Sequence, residues 1–226
     1  MREIKLPANI VITGATMSGK TCLTTKLIKE QLIKQIDYLI FFSPTIEYSQ
    51  DFGDFQETLE EDRNSLNVKK YTNPDNYKSI IKQIVTNQQS LFKSMEDKKT
   101  IPKILFVFDD LVNHNILTYR GVVDVLSTKS RHLNISMIVL VQRISAIPKT
   151  FRLNSKYVFF FSAVNFLELE QILEQYCSKK YKKSIQAMIE KIFTKKYQFI
   201  LAENFQSNQK DRLWLNGEKN IINTLL

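Results

Sequence analysis

Cysteine is nearly missing from this 226-residue chain: only Cys22 and Cys177 occur, far apart and in no Cys-x-x-Cys or Cys/His grouping. That excludes a disulfide framework and a zinc ribbon, and suits a reducing compartment. Glycine and proline number five each and are scattered, so no collagen-like or low-complexity segment is present. No apolar run is long enough to span a bilayer, the longest covering residues 157–164. Residues 1–9 mix charges with Pro7 and lack an apolar stretch followed by small residues, so a soluble, unexported protein without a signal peptide is expected. Acidic residues are also in deficit, 23 against 32 basic ones, leaving a formal charge of +9. Such an excess invites binding to phosphate polymers, although heavy use of Lys, Asn and Ile is also what an AT-rich coding genome would produce.

What is present is a globular composition, 43% hydrophobic and 24% charged. At this length folding buries roughly 70% of the unfolded chain's surface, enough for one large core, and a single domain over residues 1–226 is expected. Short runs rich in Ile, Val and Phe recur at residues 9–13, 38–42, 104–108, 135–141, 157–161 and 197–202. They are continuous rather than alternating, the pattern of strands buried on both faces of a parallel sheet. Helical spacing fills residues 20–35, 76–95, 116–129, 166–177 and 184–193. Strand and helix alternate, so the fold class is α/β with a mainly parallel central sheet flanked by helices. Residues 163–226 are expected to supply C-terminal helices and edge strands, residues 211–215 adding an antiparallel one.

The segment Gly14-Ala15-Thr16-Met17-Ser18-Gly19-Lys20-Thr21 matches G-x-x-x-x-G-K-[ST] between a predicted strand and a predicted helix. Glycines let the backbone turn tightly so that successive N–H groups point inward, and the helix start adds its positive dipole end. ATP is the expected ligand. Lys20 should reach the β- and γ-phosphates, and the Thr21 hydroxyl should ligate the Mg2+ that bridges them. Cys22 follows directly, at the edge of the nucleotide-binding segment, and is expected to pack the helix.

Residues 104–108 form an apolar strand that ends in two carboxylates, Asp109 and Asp110. In a parallel sheet both acids stand at the carboxyl edge, where ligands bind. Asp109 is expected to hold the metal, and Asp110 to orient or deprotonate the attacking water, a role more often filled by the longer Glu. Residues 135–141 form a further buried strand that closes on Gln142, which can contact both the γ-phosphate and the water.

Together these elements resemble the FtsK/HerA superfamily of DNA-pumping ATPases, and especially the genome-packaging ATPases of poxviruses, other large DNA viruses and virophages. The resemblance rests on the phosphate loop, Asp109-Asp110, the basic turn Arg131-His132, the pair Gln142-Arg143 and Asn154 before the next strand, and spans residues 8–162. It implies a RecA-like core, a homo-oligomeric ring, usually a hexamer, around double-stranded DNA, and ATP bound between neighbours. The second Asp in place of Glu is a departure, and the short chain favours the viral branch, hence a capsid or portal vertex partner and a viral assembly site in virion or host cytoplasm.

A ring of this kind implies a cation delivered across the interface, and guanidinium suits it because it is planar and permanently charged. Arg131 is the first candidate, with Arg152 and Arg143 behind it. Eleven extended residues separate Arg131 from Gln142, on the order of 35 Å, so Arg131 is expected to act in trans. Lys179, Lys180, Lys182 and Lys183 around Tyr181, with Lys149 and Arg152, are candidates for DNA phosphate contacts. His114 and His132 lack metal or triad partners and are expected to serve packing or turns.

Two other readings stay open at this point. A nucleotide or nucleoside kinase has similar length and a phosphate loop, but the compact Arg-rich lid is absent. A non-catalytic assembly scaffold would not need intact Lys20, Thr21 and Asp109. A GTPase is disfavoured, since Asn208-Gln209-Lys210-Asp211 misorders the guanine-reading motif.

Overall fold

The computed structural model describes residues 1–61, 66–111, 114–161, 166–176, 182–193, 195–205 and 212–220. Through them runs one nine-stranded sheet in the order β3-β2-β4-β5-β1-β6-β7-β8-β9. Its strands are β1 Asn9–Thr13, β2 Tyr38–Phe42, β3 Asn67–Tyr71, β4 Ile104–Phe108, β5 Ile135–Val141, β6 Ser155–Phe160, β7 Ile200–Glu203, β8 Leu213–Leu215 and β9 Lys219–Asn220. The first six pair in parallel, and β7 to β9 continue antiparallel. The expected α/β class and the antiparallel C-terminal edge are therefore both present.

Alternation within the all-buried strands builds two cores. Ile10 and Ile12 face one side with Leu39, Phe41, Leu105 and Val107, while Val11 faces the other with Ile40, Phe42, Phe106 and Phe108. The first core is covered by α1 Lys20–Leu27 and α2 Gln50–Glu61, whose Phe52 meets Phe41 edge-on at 5.1 Å. The second is covered by α3 Tyr77–Ser94, α4 Val122–Ser127, α5 Lys149–Asn154, α6 Phe166–Tyr176 and α7 Lys182–Ile192. Among the described residues no helix is long and apolar enough to cross a membrane.

Several boundaries differ from expectation for physical reasons. The helix expected over residues 20–35 holds α geometry only to Leu27, then widens to a π turn, Ile28–Leu32, and tightens to a 3-10 turn, Ile33–Gln35. Gln31 and Gln35 turn there to the N-terminal segment: Gln31 Oε1 accepts from the Ile4 amide at 2.8 Å, and Gln35 Nε2 donates to the Ile4 carbonyl at 2.8 Å. The helix expected over residues 116–129 shortens to α4. Gly121 opens it, and a Cβ at Gly121 would sit 2.7 to 2.8 Å from the carbonyl oxygens of Asn115, Ile116 and Thr118, so the preceding turn is wound too tightly to be helix. Tyr197 adopts a left-handed φ of 61°, which delays β7 to Ile200.

Candidate functional site

Three parallel strands end side by side at one edge of the sheet. Thr13 of β1 stands level with Val141 of β5, and Phe108 of β4 with Val139. Because β5 lies between β1 and β4, the phosphate loop and the acidic pair are two strand spacings apart, about 10 Å. Gln142 leaves the strand between them. The resulting cleft, about 330 Å³, is lined by Thr16, Met17, Lys20, Thr21, Asp109, Asp110, Leu140, Val141 and Gln142, with Thr45, Tyr48 and Ser49 from the turn after β2.

The loop is tightly built. A Cβ on Gly14 would meet Phe161 Cβ at 2.7 Å and Ser18 Oγ at 2.8 Å, so no side chain fits there. Gly19 caps α1 with φ 98°, a left-handed conformation that L side chains rarely adopt. Met17 is also left-handed, φ 61°, and projects into solvent. Ser18 Oγ and Thr13 Oγ1 are buried and lack a hydrogen-bond partner. Lys20 Nζ donates to the carbonyls of Gly14 at 2.8 Å and Ala15 at 2.9 Å, folding back over the loop that carries it. Burial lowers its pKa from the usual lysine range, while the charges of Asp109 and Asp110 act in the opposite direction.

Across the cleft, burial pushes the Asp109 carboxyl up to about 6, assisted by the negative charge of Asp110 and opposed by the Asp110 amide and by Lys20. That amide donates to Asp109 Oδ1 at 2.9 Å. Asp110 itself is exposed and left-handed, φ 54°, a backbone state costing on the order of 1 kcal/mol or more outside glycine. The turn thus holds one carboxylate half-buried against the sheet and presents the other to solvent. Thr21 and Asp109 are hard oxygen donors facing the same cleft, a set that suits a magnesium ion.

A second hollow of about 550 Å³ flanks the loop on the β6–β7 side, lined by Met17, Gly19, Cys22, Leu23, Lys26, Asp51, Phe161, Tyr197 and Phe199. Cys22 is an exposed free thiol there, so the packing role expected for it is corrected. Beyond Met17, Gly19 and Cys22, which belong to the predicted nucleotide-binding segment, the sequence points neither to the rest of this wall nor to Thr45, Tyr48 and Ser49. The aromatic residues at 161, 197 and 199, around a strand end beside the phosphate loop, were the available signal.

Arg131 stands at the opposite edge. It lies in the 3-10 turn Ser130–Leu133 that precedes β5, exposed, with its guanidinium 5.7 Å from the Phe205 ring centre. Only the seven residues of β5 are extended, so it is about 20 to 25 Å from the cleft rather than the expected 35 Å. The remaining expected residues divide. Arg143 is exposed beside Gln142, and Lys149 is exposed at the start of α5. Arg152 is half-buried with its Nε enclosed and without a hydrogen-bond partner; its charge opposes the upward shift that burial imposes on the Tyr176 hydroxyl. Lys179 and Lys180 lie outside the described residues, and Lys182 and Lys183 open α7. His114 caps a turn, its Nδ1 accepting from the Ile116 amide at 3.4 Å, and its ring lies 5.9 Å from Tyr77. His132 is exposed in the Ser130–Leu133 turn.

A buried parallel strand feeding a glycine-bounded phosphate loop, a half-buried carboxylate two strand positions away and a Gln between them define a P-loop ATPase with a RecA-like core. The chain belongs to the poxvirus A32 protein family, whose profile matches residues 2–223. That match carries the kinship well past residue 162, where the sequence resemblance ended. No curated protein matches the sequence. Among solved structures, B204, the DNA-packaging ATPase of Sulfolobus turreted icosahedral virus, is similar at 14% identity over 92% of this chain and 96% of that one, TM-score 0.61. B204 of Sulfolobus turreted icosahedral virus 2 in complex with ATP-gammaS matches at 16% identity over 92% and 95%, TM-score 0.57. The conjugation coupling protein TcpA of pCW3 matches at 16% identity over 96% of this chain and 64% of that one, TM-score 0.59.

Proposed function

We propose that this protein is a DNA-packaging ATPase that drives double-stranded viral DNA into a preformed capsid as a closed ring, a hexamer, docked at a capsid or portal vertex at the viral assembly site. The observation that carries the reading is the pairing of a complete phosphate-loop cleft at one sheet edge with an exposed Arg131 at the other, in a chain matched by the A32 family almost from end to end. The comparisons lend no support to the kinase or scaffold readings.

The chemistry follows from the cleft. Triphosphate entering the loop offers Lys20 acceptors better than the Gly14 and Ala15 carbonyls it now holds, and the loop amides and buried Ser18 hydroxyl face the same anion. The base and ribose leave over Gly19 and Cys22 into the aromatic-walled hollow. Bound magnesium would be held by Thr21 and Asp109 and would neutralise charge on the phosphates. Asp110 and Gln142 orient the attacking water. Arg131 cannot reach across its own sheet, but a neighbour packed head-to-tail can receive it, where it stabilises the charge of the transferring phosphoryl group.

ATP turnover measured with and without double-stranded DNA tests the reading. Strong stimulation by DNA of any sequence is expected. Turnover indifferent to DNA but accelerated by a nucleoside or nucleotide acceptor would overturn it in favour of a kinase.

A further inference from the structure

Between α3 and α4, on the sheet face away from the phosphate loop's helix, lies a groove of about 460 Å³ with cations on both walls and no carboxylate among its lining residues. We infer that this groove seats the phosphate backbone of the DNA that the protein moves; the inference rests on the DNA reading above and assigns it a surface.

α3 contributes Lys78, Lys82, Thr86 and Gln89. Steps of four, four and three residues keep them on one helical ridge that runs for about 17 Å. α4 faces it, with Arg120 just before the helix and Lys129 just after. Lys78, Lys82 and Arg120 are exposed and Lys129 half-exposed, and none of the four makes an ion pair among the described residues. The acid on α4, Asp124, is buried, and its Oδ2 is occupied by the Arg120 backbone amide at 2.9 Å.

Four like charges around one groove repel each other, a cost that an anion bound between them would reverse. Their distribution selects the anion's shape. A single small anion needs donors that converge on one point, whereas these are strung along the groove, Lys78 and Lys82 one helical turn apart. A linear polyanion meets them all. Thr86 and Gln89 add the uncharged donors typical of phosphate and sugar contacts, which hold a duplex without reading its bases.

The Arg120 wall is rigid. Gly121 admits no side chain among the carbonyls of Asn115, Ile116 and Thr118 and donates its amide to Thr118 at 2.8 Å. Arg120 is held left-handed, φ 59°, with its guanidinium 5.1 Å from the Tyr119 ring centre. This wall also lies on the chain between Asp110, ten residues before Arg120, and Arg131, two residues after Lys129.

The test is duplex binding over a salt series with Lys78, Lys82, Arg120 and Lys129 all replaced by alanine. Each lost phosphate contact reduces the slope of log K against log salt by about 0.9, so a reduction of about 3 to 4 is expected, with DNA-free ATP turnover unchanged and DNA stimulation lost. The single Arg120→Gln variant, which disturbs folding least, should lower the slope by about 0.9. A control with exposed Lys29, Lys34, Lys69 and Lys99 changed to alanine should keep the wild-type slope. Equal losses in both four-residue variants would mean that net charge alone attracts DNA, and would overturn the groove. So would an unchanged slope in the groove variants, and loss of poly-glutamate binding in that case would assign the surface to an acidic protein. Wild-type protein that binds no duplex would instead defeat the DNA reading itself, and the groove with it.

Discussion

The two edges of the sheet treat buried polar groups in opposite ways. Around Asn9 at the amino edge they are satisfied: Asn9 Nδ2 donates to the carbonyls of Ser127 at 2.9 Å and Asn154 at 3.3 Å, its Oδ1 accepts from Ser130 at 3.0 Å, and Ser136 accepts from the Ala8 amide at 3.2 Å. At the carboxyl edge they are not. Thr13 and Ser18 hydroxyls lack partners, Lys20 is held by the carbonyls of its own loop, and Asp109 has its proton affinity raised by burial. A satisfied buried network fixes a structure, whereas unsatisfied donors and shifted charges carry a standing cost that a ligand can relieve. One edge is built for the fold, the other for a bound nucleotide.

That contrast can be broken from either side. The largest effect is expected at the carboxyl edge: Lys20→Ala should lower ATP turnover by about 10³-fold or more while the thermal unfolding midpoint stays close to wild type. Asn9→Ala should do the reverse. It strands the Ser130 hydroxyl and two carbonyls, at a cost of about 1 to 3 kcal/mol in denaturant unfolding, with nucleotide affinity unchanged.

The pH response is smaller and belongs to Asp109. Its proton leaves at about 6 in the folded protein, against an ordinary value of 3.8. Between those values the folded state binds more protons than the unfolded one, so ligand-free stability should fall as pH rises through the window and level off above it. Magnesium needs the carboxylate, so stabilisation by Mg-ATP should grow over the same window. Asp109→Asn should flatten both trends in thermal shift measurements. The smallest effect is expected from Ser18→Ala, which removes an unpartnered buried hydroxyl: ligand-free stability should stay within about 0.5 kcal/mol of wild type or rise, while ATP binding weakens.

The amino-acid sequence makes the centre of this sheet legible and its margins not. β1, β2, β4 and β5 coincide with mainly apolar, non-alternating runs because they are buried on both faces. β3, Asn67–Tyr71, is an edge strand whose first four residues are exposed, and NVKKY carries no such run. Among its described side chains α2 buries Phe52 and Phe55 and exposes Asp51, Asp54 and Glu57, and Gly53 between the two aromatics interrupts the amphipathic spacing. The site divides in the same way. Gly14 to Thr21, Asp109, Asp110 and Gln142 are legible because local motifs and strand ends fix them, whereas Thr45, Tyr48 and Ser49 reach the cleft only through tertiary packing. The 35 Å expectation for Arg131 failed because residues 130–133 coil into a 3-10 turn instead of extending β5.

Whether the two edges meet across subunits is the central claim, and mixing Arg131→Ala with Lys20→Ala tests it most directly. Each variant alone should be nearly inactive, Arg131→Ala still binding ATP and assembling, because each lacks one half of every interface. Mixed rings place an intact phosphate loop beside an intact Arg131 at some interfaces, so ATP turnover should recover to a sizeable fraction of wild type. Normal hydrolysis by Arg131→Ala alone, or no recovery when verified mixed rings form, would contradict the account and move the search for the trans cation to Arg143 or Arg152.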